Sequence, residues 1–234
     1  MKATLKNRQL IAENTLTASF QLESPAEFKP GQFVIIELIN PPFKDAKGSE
    51  RYFSINNSPS DNHEIIITTR MRDSAFKKSL AEMPLGAEVN IKMIGGTFVM
   101  PEDDGRELIF ITGGIGITPF MSMLRYANEA NLSRKITLLY FNRTPQSTAF
   151  LEELKQIEDE DQNFNLILIM TDDNNWQGER HKASPDLIKK YLPDFTDKIY
   201  MMAGPPQMVQ DVVGVLTDMG IVADNIITEN FSGY

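Results

Sequence analysis

Two segments of the chain carry groups suited to holding phosphate. Arg51-Tyr52-Phe53-Ser54, continuing through Ile55 to Pro59, offers a guanidinium, aromatic rings and a small hydroxyl in consecutive positions. A guanidinium makes paired hydrogen bonds to phosphate, and an aromatic plane supports a flat ring system. Strand alternation would put Arg51, Phe53 and Ile55 on one face and Tyr52 and Ser54 on the other. An ordinary barrel strand followed by a turn has the same composition. Further along, Gly113-Gly114-Ile115-Gly116-Ile117-Thr118-Pro119 follows an apolar strand and opens a helix. Glycine allows a tight turn and close ligand approach, and the helix start offers unpaired N–H groups to an anion. Thr118 either caps that helix or turns its hydroxyl toward a bound amide.

Three further places extend this chemistry. Gly204-Pro205-Pro206 is a second strand-to-helix turn, and in an open parallel sheet such turns collect ligand beyond the strand ends. Met208 beside it contacts ligand or packs in the core. Asp73-Ser74-Ala75-Phe76-Lys77-Lys78 begins a helix with Ser74 as its cap, and its free N–H groups with Lys77 suit a diphosphate or simply a capped surface. The chain closes on Glu229-Asn230-Phe231-Ser232-Gly233-Tyr234, where the two aromatics either pack on a domain face or cover a cofactor ring.

The elements that position these groups fall into two patterns. Residues 1 to 98 read as short strands, at Leu16 to Leu22, Phe33 to Leu38, Ile65 to Thr69 and Val89 to Met93, with one helix from Ala75 to Met83. Turn residues punctuate them, which predicts a small antiparallel β-barrel. After Pro101 strands and helices alternate. Strands are expected at Leu108 to Thr112, Ile136 to Phe141, Leu166 to Met170, Ile199 to Met202 and Ile226 to Glu229, with helices between them. That alternation predicts a parallel α/β sheet. The expected division is a domain of residues 1–102 and a nucleotide-binding domain of residues 103–234.

Composition narrows the chemistry. The 234 residues hold no cysteine and two histidines, which removes disulfides, thiol catalysis and cysteine-held iron–sulfur clusters from these residues and disfavours a histidine metal site. Redox chemistry here needs an organic cofactor. A formal charge of −9 without a basic tract argues against nucleic acid and against anionic membranes. Neither a secretory leader nor a long apolar run is present, so a cytoplasmic, non-membrane monomer is expected.

With these motifs in this order, the chain resembles the ferredoxin-NADP reductase superfamily, in particular its bacterial single-chain FAD and NAD(P)H oxidoreductases. The resemblance covers the whole chain. It implies that Arg51 holds the FAD pyrophosphate, that Phe53 stacks on or borders the isoalloxazine, and that Ser54 approaches flavin N5. The family motif is Arg-x-Tyr-Ser, so Phe53 keeps the plane and loses a hydroxyl. The stretch from Thr69 through Leu80, with Ser74, Phe76 and Lys77, resembles the pyrophosphate-binding strand and helix. Gly96 and Phe98 survive from a Gly-Pro-x-Gly-x-Phe stretch.

Gly113, Gly114, Gly116, Thr118 and Pro119 match the nicotinamide-nucleotide loop, and Asn142 and Arg143 the strand end after it, where Arg143 meets a 2′-phosphate or forms a surface ion pair. Gly204, Pro205 and Met208 match the loop near the nicotinamide, with Ala203 where many relatives carry cysteine. Glu229 and Phe231 resemble the terminal acidic-aromatic element bordering the flavin, and Tyr234 offers a second cover. Ser54, Glu229 and Phe231 are the expected catalytic side chains. The implied activity is hydride transfer from NADPH or NADH to FAD and then electron delivery to a separate acceptor, a ferredoxin or flavodoxin. The alternatives are a reductase component of a multicomponent oxygenase, or an FAD-binding regulatory subunit without nicotinamide turnover.

Overall fold

The computed structural model describes residues 1–231. Its Cα atoms group into two compact units, one of residues 1–100 and 118–130, the other of residues 101–117 and the described residues from 131 onward.

In the first unit, β1 (Lys2–Ala12), β2 (Thr15–Leu22), β3 (Phe33–Leu38), β4 (Glu50–Ser54), β5 (Glu64–Arg70) and β6 (Glu88–Gly95) form one antiparallel sheet in the order β4-β3-β6-β1-β2-β5. The sheet curls until its edges meet, where Ile55 just beyond β4 bridges Ile67 of β5. Closure removes the exposed edges an open sheet would carry. Leu5, Phe20, Val34, Ile36, Ile55, Ile65 and Val89 fill the interior, with Phe76 and Leu80 of α1 (Ala75–Glu82) added to the same cluster. Strand β1 was not expected. Ala3 and Leu5 are its fully buried residues, Lys2 and Lys6 face outward, and a register shift between Leu5 and Asn7 breaks the alternation that would mark it.

Helix α2 (Thr118–Glu129) packs within this first unit. Its Ser122 hydroxyl donates to the Asn57 carbonyl at 2.7 Å, and Arg125 donates to the Asn56 carbonyl at 2.5 Å. The segment just after β4 is therefore held by the helix that follows the glycine loop.

The second unit is a parallel sheet of β7 (Glu107–Gly113), β8 (Ile136–Asn142), β9 (Phe164–Met170), β10 (Lys198–Gly204) and β11 (Ile226–Asn230), in the order β11-β10-β7-β8-β9. β8 is buried along its full length, the pattern of a central parallel strand. Helices α3 (Leu151–Glu160), α4 (Pro185–Tyr191) and α5 (Pro206–Asp218) connect the strands, and Leu187, Ile188, Val209, Val212 and Leu216 pack against Ile109, Ile111, Leu139 and Tyr200. The expected strand-helix order is observed throughout, with bounds shifted by a few residues. Among the described residues no helix is long and apolar enough to cross a membrane.

Candidate functional site

In the first unit the predicted phosphate groups converge at the amino end of α1. Ser74 caps the helix, its hydroxyl accepting the Lys77 N–H at 3.5 Å. The Lys77 ammonium donates to the Arg70 carbonyl at 2.7 Å. Burial lowers the Lys77 pKa to about 8, and the nearby Arg72 and Arg51 charges act in the same direction. Arg51 approaches from β4. Its Nη1 donates to the carbonyls of Lys47, Gly48 and Glu50 at 3.0, 3.1 and 2.6 Å. Its Nη2 is buried with no hydrogen-bond partner among the described residues, and lies 3.6 Å from Asp45 Oδ1, an ion-pair rather than a hydrogen-bond distance.

The aromatic residues divide differently. Phe53 and Phe76 are 9% and 2% exposed, with ring centroids 5.5 Å apart, and both belong to the barrel core. The Arg51 guanidinium carbon lies 5.4 Å from the Phe76 ring centroid, so that ring supports the cation. Tyr52 is the open ring of the motif, 68% exposed and 5.4 Å from Phe33. Ser54 is buried and pairs with Phe33 in the sheet, and Thr69 is buried opposite Leu16. Gly96 is exposed beside the Phe33 ring, whereas Phe98 packs edge-on against Phe120 in the interior. The structure thus brings Arg51, Ser74 and Lys77 together and assigns Phe53, Phe76 and Phe98 to packing.

In the second unit the two glycine turns meet. Strand order reverses between β7 and β10, the place where parallel sheets bind ligand at their carboxyl ends. Gly113 ends β7, and Gly114 to Ile117 form a single 3₁₀ turn leading into α2, whose first residues are the buried Thr118 and Pro119. A Cβ on Gly116 would lie 2.4 Å from the Ala203 carbonyl oxygen and 2.7 Å from the Gly204 Cα, so only glycine fits against β10. Met208 packs against the core of this unit, its sulfur over Gly113, and Pro205 precedes α5. The Thr112 hydroxyl donates to the Ala203 carbonyl at 2.8 Å, Glu229 stands opposite Ala203 in the register, and the Phe231 N–H donates to the Gly204 carbonyl at 3.0 Å. Glu229 and Phe231 therefore border the Gly204 turn. Tyr234 lies outside the described residues.

Asn142 ends β8 buried, with neither side-chain amide atom hydrogen-bonded among the described residues. Arg143 is exposed and ion-paired to Asp172 at 3.0 Å, the surface reading of that residue.

Two observations test these sites against the implied cofactors. The first site holds Lys77, depressed by burial and by the nearby Arg72 and Arg51 charges, and leaves a guanidinium nitrogen without a hydrogen bond among the described residues, which fits a diphosphate. The second offers unpaired polar atoms on Asn142 at a β-strand carboxyl end, near a glycine turn opening a helix, which fits a dinucleotide. Sequence reasoning missed Asp45 and Arg72 at the first site. Arg70-Met71-Arg72 just before the Ser74 cap was an available signal, whereas nothing local marks Asp45.

Glu229 carries a further consequence. Burial raises its pKa from the usual 4.5 to about 7, and its Oε2 has no hydrogen-bond partner among the described residues. The folded chain therefore keeps a proton that the unfolded chain releases, so stability falls as pH rises from about 4.5 to about 7 and stays reduced above that. Glu229→Gln is expected to flatten this slope and to raise the melting temperature of the cofactor-free protein near pH 8 by about 5 °C. Melting curves between about pH 5 and about pH 8 check this; parallel profiles for the two proteins would rule it out.

Residues 110–214 match the model of the oxidoreductase NAD-binding domain. The glycine betaine monooxygenase reductase subunit of Chromohalobacter salexigens is 27% identical over 92% of this chain and 60% of its own length. A component of the Na(+)-translocating NADH-quinone reductase of a Marinomonas strain is 31% identical over 61% of this chain and 37% of its own. The chain thus spans about 60% or less of these curated relatives. A solved structure, the ferredoxin NADP+ reductase of Neisseria gonorrhoeae with bound FAD and NADP, superposes with a TM-score of 0.82 at 22% identity, covering 98% of both chains. An antiparallel barrel with a cationic helix start, followed by a parallel sheet with paired glycine turns, is the fold this chain shares with that reductase structure, and residues 110–214 carry the oxidoreductase NAD-binding domain.

Proposed function

We propose that the chain is an FAD-dependent NAD(P)H oxidoreductase that passes electrons to a separate acceptor, as the reductase component of a multicomponent oxygenase. The observation that carries the reading is the cation group at the start of α1, where Arg51 Nη2 lacks a hydrogen bond among the described residues and Lys77 is depressed by burial and its neighbours. It supports a diphosphate site in the barrel unit, separate from the glycine turns of the sheet unit. Bound FAD supplies a two-electron acceptor for hydride that can release its electrons singly.

In this reading residues 1–102 hold FAD and residues 103–234 hold the nicotinamide nucleotide. Arg51 and Lys77 neutralise the FAD diphosphate, and Ser54 presents a hydroxyl to the flavin edge. The Gly113 to Gly116 backbone admits the nicotinamide dinucleotide closely, with Gly204 and Met208 lining the same turn. Glu229, neutral up to about pH 7, holds a proton beside the Gly204 turn. These groups orient and neutralise; none is a strong acid or base, and orientation is the main contribution expected of them.

The 234 residues contain no cysteine, so electrons leave the flavin without a cysteine-held cluster in this stretch. An oxygenase partner is favoured over ferredoxin or flavodoxin because the Chromohalobacter relative is a monooxygenase reductase subunit matching 92% of the chain. The Marinomonas relative, a quinone reductase component, supports a second reading in which the acceptor belongs to a quinone-reducing assembly. Cytoplasmic residence completes the proposal.

The test is anaerobic stopped-flow absorbance of the FAD-loaded protein mixed separately with NADH and NADPH. Rapid bleaching with either is expected, and the faster one names the donor. FAD that stays oxidised with both would instead make the chain a flavin-binding subunit without nicotinamide turnover.

A further inference from the structure

The amino end of α1 already holds an anion, and the chain itself supplies it. Asp45 lies in the loop between β3 and β4. Its Oδ2 accepts the Ala75 N–H at 3.1 Å, and its Oδ1 accepts the Lys47 N–H at 2.8 Å. The same Oδ1 is 3.6 Å from Arg51 Nη2, the nitrogen with no hydrogen-bond partner. One carboxylate therefore meets a free helix N–H and faces the guanidinium, the two recognitions a diphosphate would use. Two anions at this place would repel, so occupancy by one disfavours the other.

The surrounding loop lines a cavity of about 460 Å³ together with Leu38 and Phe76, contributing Pro41, Phe43, Asp45 and Gly48. On its far side the loop is pinned by Phe43, whose N–H donates to the Ser79 hydroxyl at 3.0 Å and whose carbonyl accepts from it at 3.1 Å. Gly48, near the other end, sits at φ +72° in open space. Withdrawal of Asp45 thus needs its Ala75 contact and the Arg51 contacts, including those to the Lys47 and Gly48 carbonyls, to open while the Phe43 pin stays.

We propose that Asp45 is a built-in competitor of the cofactor diphosphate, an internal anion that occupies the α1 and Arg51 site in the cofactor-free chain and withdraws when FAD binds. The inference rests on the FAD reading above. It differs from a role in which Asp45 merely positions Arg51, and the two have opposite signs.

The experiment uses cofactor-stripped protein and Asp45→Asn, which keeps an acceptor for Ala75 and removes the charge. FAD is titrated by flavin fluorescence, ADP by calorimetry, and riboflavin, which lacks the diphosphate, serves as control. The variant is expected to bind FAD and ADP about tenfold more tightly and riboflavin unchanged. Asp45→Ser, a short capping residue, is expected to repeat the gain and guards against misfolding of the first variant. Unchanged or weaker FAD and ADP binding in both variants overturns the competitor, as does an equal gain for riboflavin. Failure of the parent and both variants to bind FAD at all overturns the FAD reading as well, which separates the two failures.

Discussion

Arg51→Met is expected to weaken FAD binding about a hundredfold, because a charge-assisted hydrogen bond to a buried anion contributes about 1.5–3 kcal/mol and the guanidinium can make two. The loss is expected to be specific to the diphosphate. Arg51 also holds the carbonyls of Lys47, Gly48 and Glu50, so the variant should lose some loop order as well, lowering the cofactor-free melting temperature by only about 3 °C. Asp45 then remains at the α1 amino end without its cation, which adds to the penalty on an incoming phosphate. Arg51→Lys keeps the charge but not the planar fork, and is expected to lose about tenfold. Fluorescence titration of the stripped proteins with FAD and with riboflavin measures this. Equal FAD affinity for parent and Arg51→Met would remove Arg51 from the diphosphate site.

The second large effect lies in the parallel-sheet unit. Gly116→Ala is expected to destabilise the protein by about 3 kcal/mol, or about 10 °C in melting temperature, since its Cβ would meet backbone that cannot rotate away. The atoms in the way are the Ala203 carbonyl oxygen at 2.4 Å, Gly204 Cα at 2.7 Å and the Ala203 carbonyl carbon at 2.8 Å. Relief requires β10 to move from β7, against the parallel pairing that joins Thr112 to Ala203. The same shift would spoil the Gly204 turn, so nicotinamide affinity should fall with stability. Gly214, inside α5, is the control: an added Cβ meets nothing within 4 Å. Gly214→Ala is therefore expected to stabilise by about 0.5–1 kcal/mol through helix propensity and unfolded-state entropy. Thermal melts of the two variants decide it, and a Gly116→Ala protein as stable as the parent would mean that the turn does not pack against β10 as described.

The alternation of short strands, the strand-helix repeat after Pro101, the Ser74 cap and the glycine turns before α2 and α5 were all legible because each is written in neighbouring residues. Periodicity and caps act within one turn or one pleat, so a linear reading reaches them. Strand β1 escaped because its buried side is only Ala3 and Leu5, and its place between β2 and β6 is set by partners distant in sequence.

The candidate site divides in the same way. Residue type alone marked Arg51, Lys77 and Glu229 as chemically capable, since guanidinium, ammonium and carboxylate carry their chemistry wherever they fall. Which of them faces a ligand depends on long-range packing. Phe53 read as a stacking plane but joins Phe76 inside the barrel, while its neighbour Tyr52 stays open, because strand alternation follows whichever face the closing sheet turns inward. Asp45 carried no signal at all. Its role comes from a contact with Ala75 across 30 positions, and Glu229 has a raised pKa only because tertiary burial removes water from its carboxylate. Element types and the chemical repertoire follow from local backbone preference and side-chain composition, so both are readable from the order of residues. Which charges are paired, desolvated or left open follows only from the folded packing, because electrostatics depends on distance and solvent access rather than on order along the chain.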